Sequence, residues 1–388
     1  MEKKNKKVIE RIDEQIKNLK NKDFTIFFFT GDSKNIPTGQ IVYEYNLALT
    51  LKELGYDVKM LYQVENELTP NEVIELQKKG KFNPNSERYF TGVGNWLGEE
   101  YSKIEHININ KENSWKVSAS DFLIIPEAFY SLMFETYRYK TPCKRIVLLE
   151  NYKYITDFIP IGIQWLNYGI KDCIAISNKQ ANRVKNVMPY VETNIIEPYI
   201  PDYFNAGTKA KKLVISVVVD KESDANKFIK TFYWKYPNYR FVSFKVLHNL
   251  NRKNYAEQLK ESAISVWIDY ETPFGFGGLE SIRSGNIVIG KIPETLQDWM
   301  LKKEDELNDS IIWFRNTDEL PDIFVNVLEK WLNNEIPQFV YEGMKKLNAQ
   351  YTKNIWDENV KKCMEKYVDD RIEEFEEVKN NFKNKEEE

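Results

Sequence analysis

Apolar residues along the chain fall into two successive series in which short continuous runs alternate with amphipathic stretches. Residues 24–29 (Phe-Thr-Ile-Phe-Phe-Phe) form a run of the kind expected for a strand buried on both faces. A loop over 30–39 follows. From about Gln40 to Leu54, Val42, Leu47, Ala48 and Leu51 recur at helical spacing, and Gly55 supplies a left-handed helix stop. Residues 57–62 read as the next strand, and so short a connection imposes a parallel, right-handed crossover. Strands are predicted at 121–126, 144–149, 172–177 and 193–196, with a helix from Asn178. Residues 63–120 are Asn-rich and show no clear period.

The alternation breaks at 197–212, where prolines, a glycine and a lysine cluster occur, and then restarts. Strands are predicted at 213–219, 241–247, 263–268 and 287–289, and helices at 225–236, 255–261, 320–333 and 339–367. The charged stretch 369–388 reads as a frayed helix. The expected organisation is therefore a basic helix over 1–22, a Rossmann-like domain over 23–200 and a linker over 201–212. A second Rossmann-like domain covers 213–338, and C-terminal helices with a charged tail cover 339–388. This is an α/β class chain with two doubly wound parallel sheets facing a cleft.

Within the first helix, Val8, Ile9, Ile12, Ile16 and Leu19 share one side. Packing on the protein's own surface is favoured over weak peripheral contact with anionic lipid, because the stripe lacks Trp and Phe and Glu10, Asp13 and Glu14 dilute the basic charge.

Composition narrows the function classes. At 388 residues the chain is long enough for two cores. Its net charge of −4 gives no global field that attracts nucleic acid. The three cysteines, Cys143, Cys173 and Cys363, are scattered, which fits a reducing compartment and a core role for Cys173. With only His106 and His248, a histidine-based metal site is not expected. The N-terminus lacks the apolar core of a signal peptide, so a cytoplasmic protein, at most peripheral on the inner membrane surface, is expected.

The segment 269–290 (DYETPFGFGGLESIRSGNIVIG) carries the candidate chemistry. It lies between a strand and a helix predicted to begin near Gly277. Gly275, Gly277 and Gly278, interleaved with Phe274 and Phe276, let a backbone approach a ligand and leave amides at a helix N-terminus, which suits a diphosphate. Glu280 in the first turn is placed to accept hydrogen bonds from ribose hydroxyls. A glycine-rich turn with an ordinary first-turn acid is the plainer reading.

The whole string resembles the donor signature of the retaining GT-B glycosyltransferases of the group 1, family 4-like superfamily. Phe274-Gly275, Glu280, Gly285 and the apolar 287–289 match that signature in spacing. The family's first glutamate falls at Thr272, with Glu271 one place early, so either residue could meet the donor sugar. Thr38-Gly39-Gln40 is similar to the family's first glycine loop, implying an acceptor-side role. Lys221 and Lys227 stand where the family places an Arg and a Lys on the donor diphosphate. Glu150 stands where many relatives have a histidine near the acceptor hydroxyl. The late aromatics Trp331, Phe339, Tyr351 and Trp356 are expected to pack as the last helix crosses back onto the N-terminal domain.

The resemblance implies a metal-independent retaining hexosyltransferase with no cofactor beyond a nucleotide-sugar co-substrate, a UDP-hexose. The acceptor would be a hydroxyl of a glycan, lipid or protein. A hydroxymethylated DNA base is the alternative acceptor of a phage-type enzyme, and a catalytically silent nucleotide-sugar-binding protein on the same fold is the other competing reading.

Overall fold

The computed structural model of the protein describes residues 2–111, 115–207, 210–303 and 306–387. These form two compact units. The first comprises Met1–Ile176, Gln180–Ile196 and Asp357–Glu388, and the second Ser177–Lys179 and Glu197–Trp356. The stretch 201–212 belongs to the second.

The first unit is built on seven strands: β1 (Thr25–Phe29), β2 (Asp57–Tyr62), β3 (Glu105–Asn108), β4 (Phe122–Pro126), β5 (Lys144–Leu149), β6 (Asp172–Ala175) and β7 (Glu192–Ile195). They run parallel in the order β3-β2-β1-β4-β5-β6-β7. Connections go outward one way from β1 to β3 and the other way from β4 to β7. The strand order therefore reverses between β1 and β4, and in such sheets ligands bind at the carboxyl ends beside that reversal. Phe27, Phe29, Leu123, Ile125, Val147 and Leu149 project from the central strands into one core cluster. The helices are α1 (Glu2–Asn21), α2 (Gly39–Glu53), α3 (Pro70–Lys78), α4 (Tyr130–Arg138), α5 (Tyr152–Phe158) and α6 (Asn178–Val187).

Three of the five stripe residues of α1 pack on the protein itself. Ile12, Ile16 and Leu19 are buried, and Gln15 Oε1 accepts a hydrogen bond from Ser120 N at 2.9 Å. Val8 and Ile9, nearer the N-terminus of the stripe, are half-buried.

The second unit has a five-stranded parallel sheet. Its strands are β8 (Lys212–Val219), β9 (Ser243–Leu247), β10 (Ser262–Ile268), β11 (Ile287–Lys291) and, beyond a small antiparallel pair β12 (Leu301–Lys303) and β13 (Glu306–Leu307), β14 (Ile311–Phe314). The order is β14-β11-β10-β8-β9, so the reversal here lies between β8 and β10. The helices are α7 (Glu222–Lys235), α8 (Arg252–Glu261), α9 (Phe276–Arg283), α10 (Leu320–Leu332), α11 (Gln338–Gln350) and α12 (Lys353–Glu387).

The single helical stretch expected over 339–367 is two helices, broken at Tyr351–Thr352. The charged tail is the second half of the 35-residue α12. From Asp357 onward α12 belongs to the first unit. There Tyr367, fully buried, donates its hydroxyl to Cys173 O at 3.1 Å. Lys144 Nζ lies 3.2 Å from Glu374 and 3.4 Å from Asp172. Of the aromatics expected to pack, Tyr351 and Trp356 are buried, whereas Phe339 is 56% exposed. No helix among the described residues is long and apolar enough to cross a membrane.

Candidate active site

In the second unit, two acidic residues follow the two strands that flank the reversal. Asp220 follows β8 and Asp269 follows β10, whose last residues, Val219 and Ile268, are register partners. Burial, then the charge of Asp220, pushes the Asp269 carboxyl up to about 7, while the Thr272 hydroxyl pulls the other way. Asp269 Oδ1 is buried without a hydrogen-bond partner among the described residues. Thr272 is buried beside it, and Glu271 is exposed. Of the two residues that could take the place of the family's first glutamate, the buried one bonds to an acid that the sequence pattern did not single out.

The loop then turns through Gly275, at φ +91°, into α9. A Cβ at Gly275 would lie 2.7 Å from Trp299 and Met300, and one at Gly278 would lie 2.9 Å from Trp267. At Gly277 the obstruction is Val218 Cγ1, again at 2.9 Å. These glycines therefore let α9 seat on a floor of tryptophans, a demand the chain makes with or without a ligand. Trp299 Nε1 donates to Phe274 O at 2.6 Å and pins the loop. Phe274 is buried against the Tyr351 ring, with centroids 5.8 Å apart, and Phe276 lies 5.5 Å from Phe274. The amides of Gly278 and Leu279 turn back to Gly275 O. Those of Phe276 and Gly277 have no partner among the described residues, so the free donors are fewer than the run Gly275–Gly278 implies.

Glu280 is 2% exposed and ion-paired to Arg252 Nη2 from the first turn of α8. Burial works against the Arg252 charge, but the Glu280 carboxylate overrides it and the guanidinium pKa is raised. Tyr255, one turn further along α8, also bonds to Glu280, and its phenol is pushed up first by burial and then by that charge. Arg252 and Tyr255 escaped the sequence reading. The signal that could have found them is their place just after β9, at a strand's carboxyl end. Lys221 stands exposed at the N-cap position of α7 without a side-chain capping bond. Lys227 is exposed and stands 3.9 Å from Asp318.

In the first unit, Thr38 caps α2, its side chain accepting from Ile41 N at 3.4 Å. Gly39 is exposed, and Gln40 Oε1 accepts from Tyr154 OH at 3.4 Å. Glu150, which follows β5, is 2% exposed and belongs to a group the sequence did not disclose. Glu127 follows β4 and accepts from the backbone amides of Glu150 at 3.0 Å and Asn151 at 2.7 Å. Glu44 on α2 meets Thr30 Oγ1, just past β1, at 2.6 Å. Burial pushes Glu44 up to about 8 and Glu127 to about 7. Burial also raises Glu150 well above its ordinary value, and the charges of Glu44 and Glu127 add to the shift.

No protein-family model matches the chain. The chain is 23% identical over 193 residues to an alpha-1,6-glucosyltransferase of Actinobacillus pleuropneumoniae serotype 7 (strain AP76), covering 49% of this chain and 58% of that protein. It thus spans somewhat over half the length of this curated relative. Among solved structures, it superposes on sucrose-phosphate synthase from Thermosynechococcus elongatus with a TM-score of 0.56 at 10% identity, covering 89% of this chain and 98% of that one. Against TarM of S. aureus, solved with fondaparinux, alpha-GlcNAc-glycerol and UDP, the TM-score is 0.57 at 9% identity, with 89% and 99% covered. Two parallel sheets of seven and five strands, and a final helix returning to the first unit, give this chain the fold of the GT-B glycosyltransferases.

Proposed function

We propose that the protein is a retaining glycosyltransferase that moves a hexose from a nucleoside diphosphate sugar, a UDP-hexose, to a hydroxyl acceptor. The observation that carries this reading is the start of α9, where a left-handed glycine cap, two unspent amides and a buried Glu280 stand together beside the strand-order reversal. The relative's α-linked product supports retention, since an α-linked donor giving an α-linkage keeps its anomeric configuration.

In this reading the diphosphate lies on the amides of Phe276 and Gly277. As the glycosidic bond breaks, negative charge grows on the leaving phosphate. The positive end of α9 stabilises it, with Lys221 and Lys227 as mobile partners and no metal required. Glu280 keeps lone pairs beyond those used by Arg252 and Tyr255 and takes the ribose hydroxyls. Thr272, backed by Asp269, meets the sugar. Asp269, its carboxyl pushed up to about 7 mainly by burial, carries less than a full negative charge to oppose the diphosphate. The first unit receives the acceptor near Thr38, Gly39, Gln40 and Glu150.

The test is transfer or hydrolysis of UDP- and GDP-sugars by the full chain. A Glu280→Ala variant that stays folded should lose on the order of 100-fold or more in turnover. Turnover left intact would refute the site. The engagement of Glu280 by Arg252 favours one rival reading, a binding protein without transferase activity. UDP binding with no turnover on any acceptor pool would decide for it.

A further inference from the structure

Three carboxyl groups meet at the strand-order reversal of the first unit: Glu127 after β4, Glu150 after β5, and Glu44 held against the residue after β1. None is more than 3% exposed. Two of them have settled partners, Glu127 in the amides of Glu150 and Asn151 and Glu44 in Thr30. Glu150 does not, for its Oε1 is buried with no partner among the described residues. Among the described residues, the groups that shift the three are one another, a hydroxyl and backbone amides, with no lysine, arginine or histidine among them. Buried carboxylates without a counter-charge are costly, so the site needs protons or a cation from outside.

The geometry narrows that cation. A divalent ion needs one oxygen from each ligand close together, and among the described residues only Asp172, Glu192 and Asp370 bring three such atoms within 4.8 Å. That other cluster already has Lys144, 3.4 Å from Asp172. The Glu44, Glu127 and Glu150 oxygens are spread more widely, which suits a cation that reaches outward through N–H bonds. Gln40 and Tyr154, both partly exposed, are joined by a long 3.4 Å bond. Tyr154 stands close enough for Glu127 and Glu150 to raise its phenol, after burial as the larger cause.

We propose that this site takes the protonated amino group of the acceptor, with Glu150 Oε1 as its direct partner and Glu44 and Glu127 supplying the charge behind it. The acceptor class is then an amine-bearing hydroxyl compound such as an amino sugar. This rests on the reading of the first unit as the acceptor-binding one. Glu127 is a positioning residue, since it fixes the turn that carries Glu150.

The experiment is an NMR titration of the full chain at pH 7 with glucosamine, glucose and N-acetylglucosamine. The last two keep the ring but lack the charged amine. Glucosamine should bind about tenfold more tightly than either. Glu150→Gln should abolish that preference while leaving UDP affinity and melting temperature close to those of the parent. Lowering the pH to 5 should also weaken glucosamine binding, because the amine must then displace a fuller complement of protons from the carboxyls. Equal affinity for the three sugars, no detectable binding of glucosamine, or a preference that survives Glu150→Gln would overturn the proposal. Should that variant not fold, Glu127→Gln takes its place with the same expected loss. An amine preference in a protein that turns over no nucleotide sugar would sink the transferase reading and leave this site standing.

Discussion

The two sheets solve the same problem in opposite ways. Each brings acidic residues to the point where its strand order reverses, the place where such folds bind ligands. In the second unit the most deeply buried acid, Glu280, is neutralised within the chain by Arg252 and held by Tyr255. In the first unit Glu44, Glu127 and Glu150 share a buried site in which, among the described residues, no basic group offsets their shifts, and burial raises all three. One site carries its own counter-charge. The other is left short of positive charge, so its state depends on protons or on what binds. An internal ion pair favours a fixed geometry, whereas an uncompensated acid group responds to its surroundings.

The sharpest way to break this comparison is to remove the counter-charge from the second unit. Arg252→Ala leaves Glu280 buried and unpaired, and unfolding in denaturant should show a loss of about 3–5 kcal/mol. A loss below about 1 kcal/mol would mean that the pair does not hold the site and that the two units differ less than their contacts suggest.

The first unit should respond to pH instead. Glu44 and Glu127 have folded values raised to about 8 and about 7, above their ordinary value of 4.5. The folded chain therefore binds more protons than the unfolded one across that window. The stability they contribute is full below about pH 4.5 and is lost as pH rises through 7 and 8, on the order of a few kcal/mol. Thermal melts between pH 5 and 8.5 should show the decline, and Glu44→Gln, which cannot ionise, should flatten it. A melting temperature that climbs across that range in the parent would contradict the reading.

The smallest effect belongs to Lys227. Its pairing with Asp318 is exposed and loose at 3.9 Å, so Lys227→Ala should leave the melting temperature within about 1 °C. If it meets the donor phosphate, UDP affinity should fall a few-fold and lose part of its salt dependence in calorimetry. An unchanged affinity would make it a solvated surface lysine.

Much of the fold was legible in the sequence because its strands are continuous apolar runs. β1, β2, β4, β5, β6 and β8 sit within a residue or two of where those runs lie. Residues 63–120 were not legible for a physical reason. Their strand β3 is an edge strand with a mixed burial pattern, and α3 buries none of its residues. Neither element has the one-sided apolar period that reveals a packed segment. The candidate site divides the same way. Phe274, Gly275 and Glu280 were singled out by local spacing. Arg252, 28 residues before its partner, and Glu44 and Glu127 were not, because only tertiary folding brings them to those acids. The sequence singled out the loop's glycines as a ligand cradle; the structure shows a separate demand on them, since Trp267 and Trp299 beneath them exclude larger residues.

The path of α12 bears on how the protein is made. Its residues from Asp357 onward belong to the first unit, where Tyr367 lies fully buried against β6 and Arg371 donates to Ala119 O at 2.9 Å. Synthesis delivers the seven strands of that unit first, but the helix that covers them comes last, after the whole second unit. The nascent first unit therefore waits with the surface beside Cys173 uncovered while more than 150 further residues are added. A chain cut after Ile196 would keep every strand of its sheet and lack that cover.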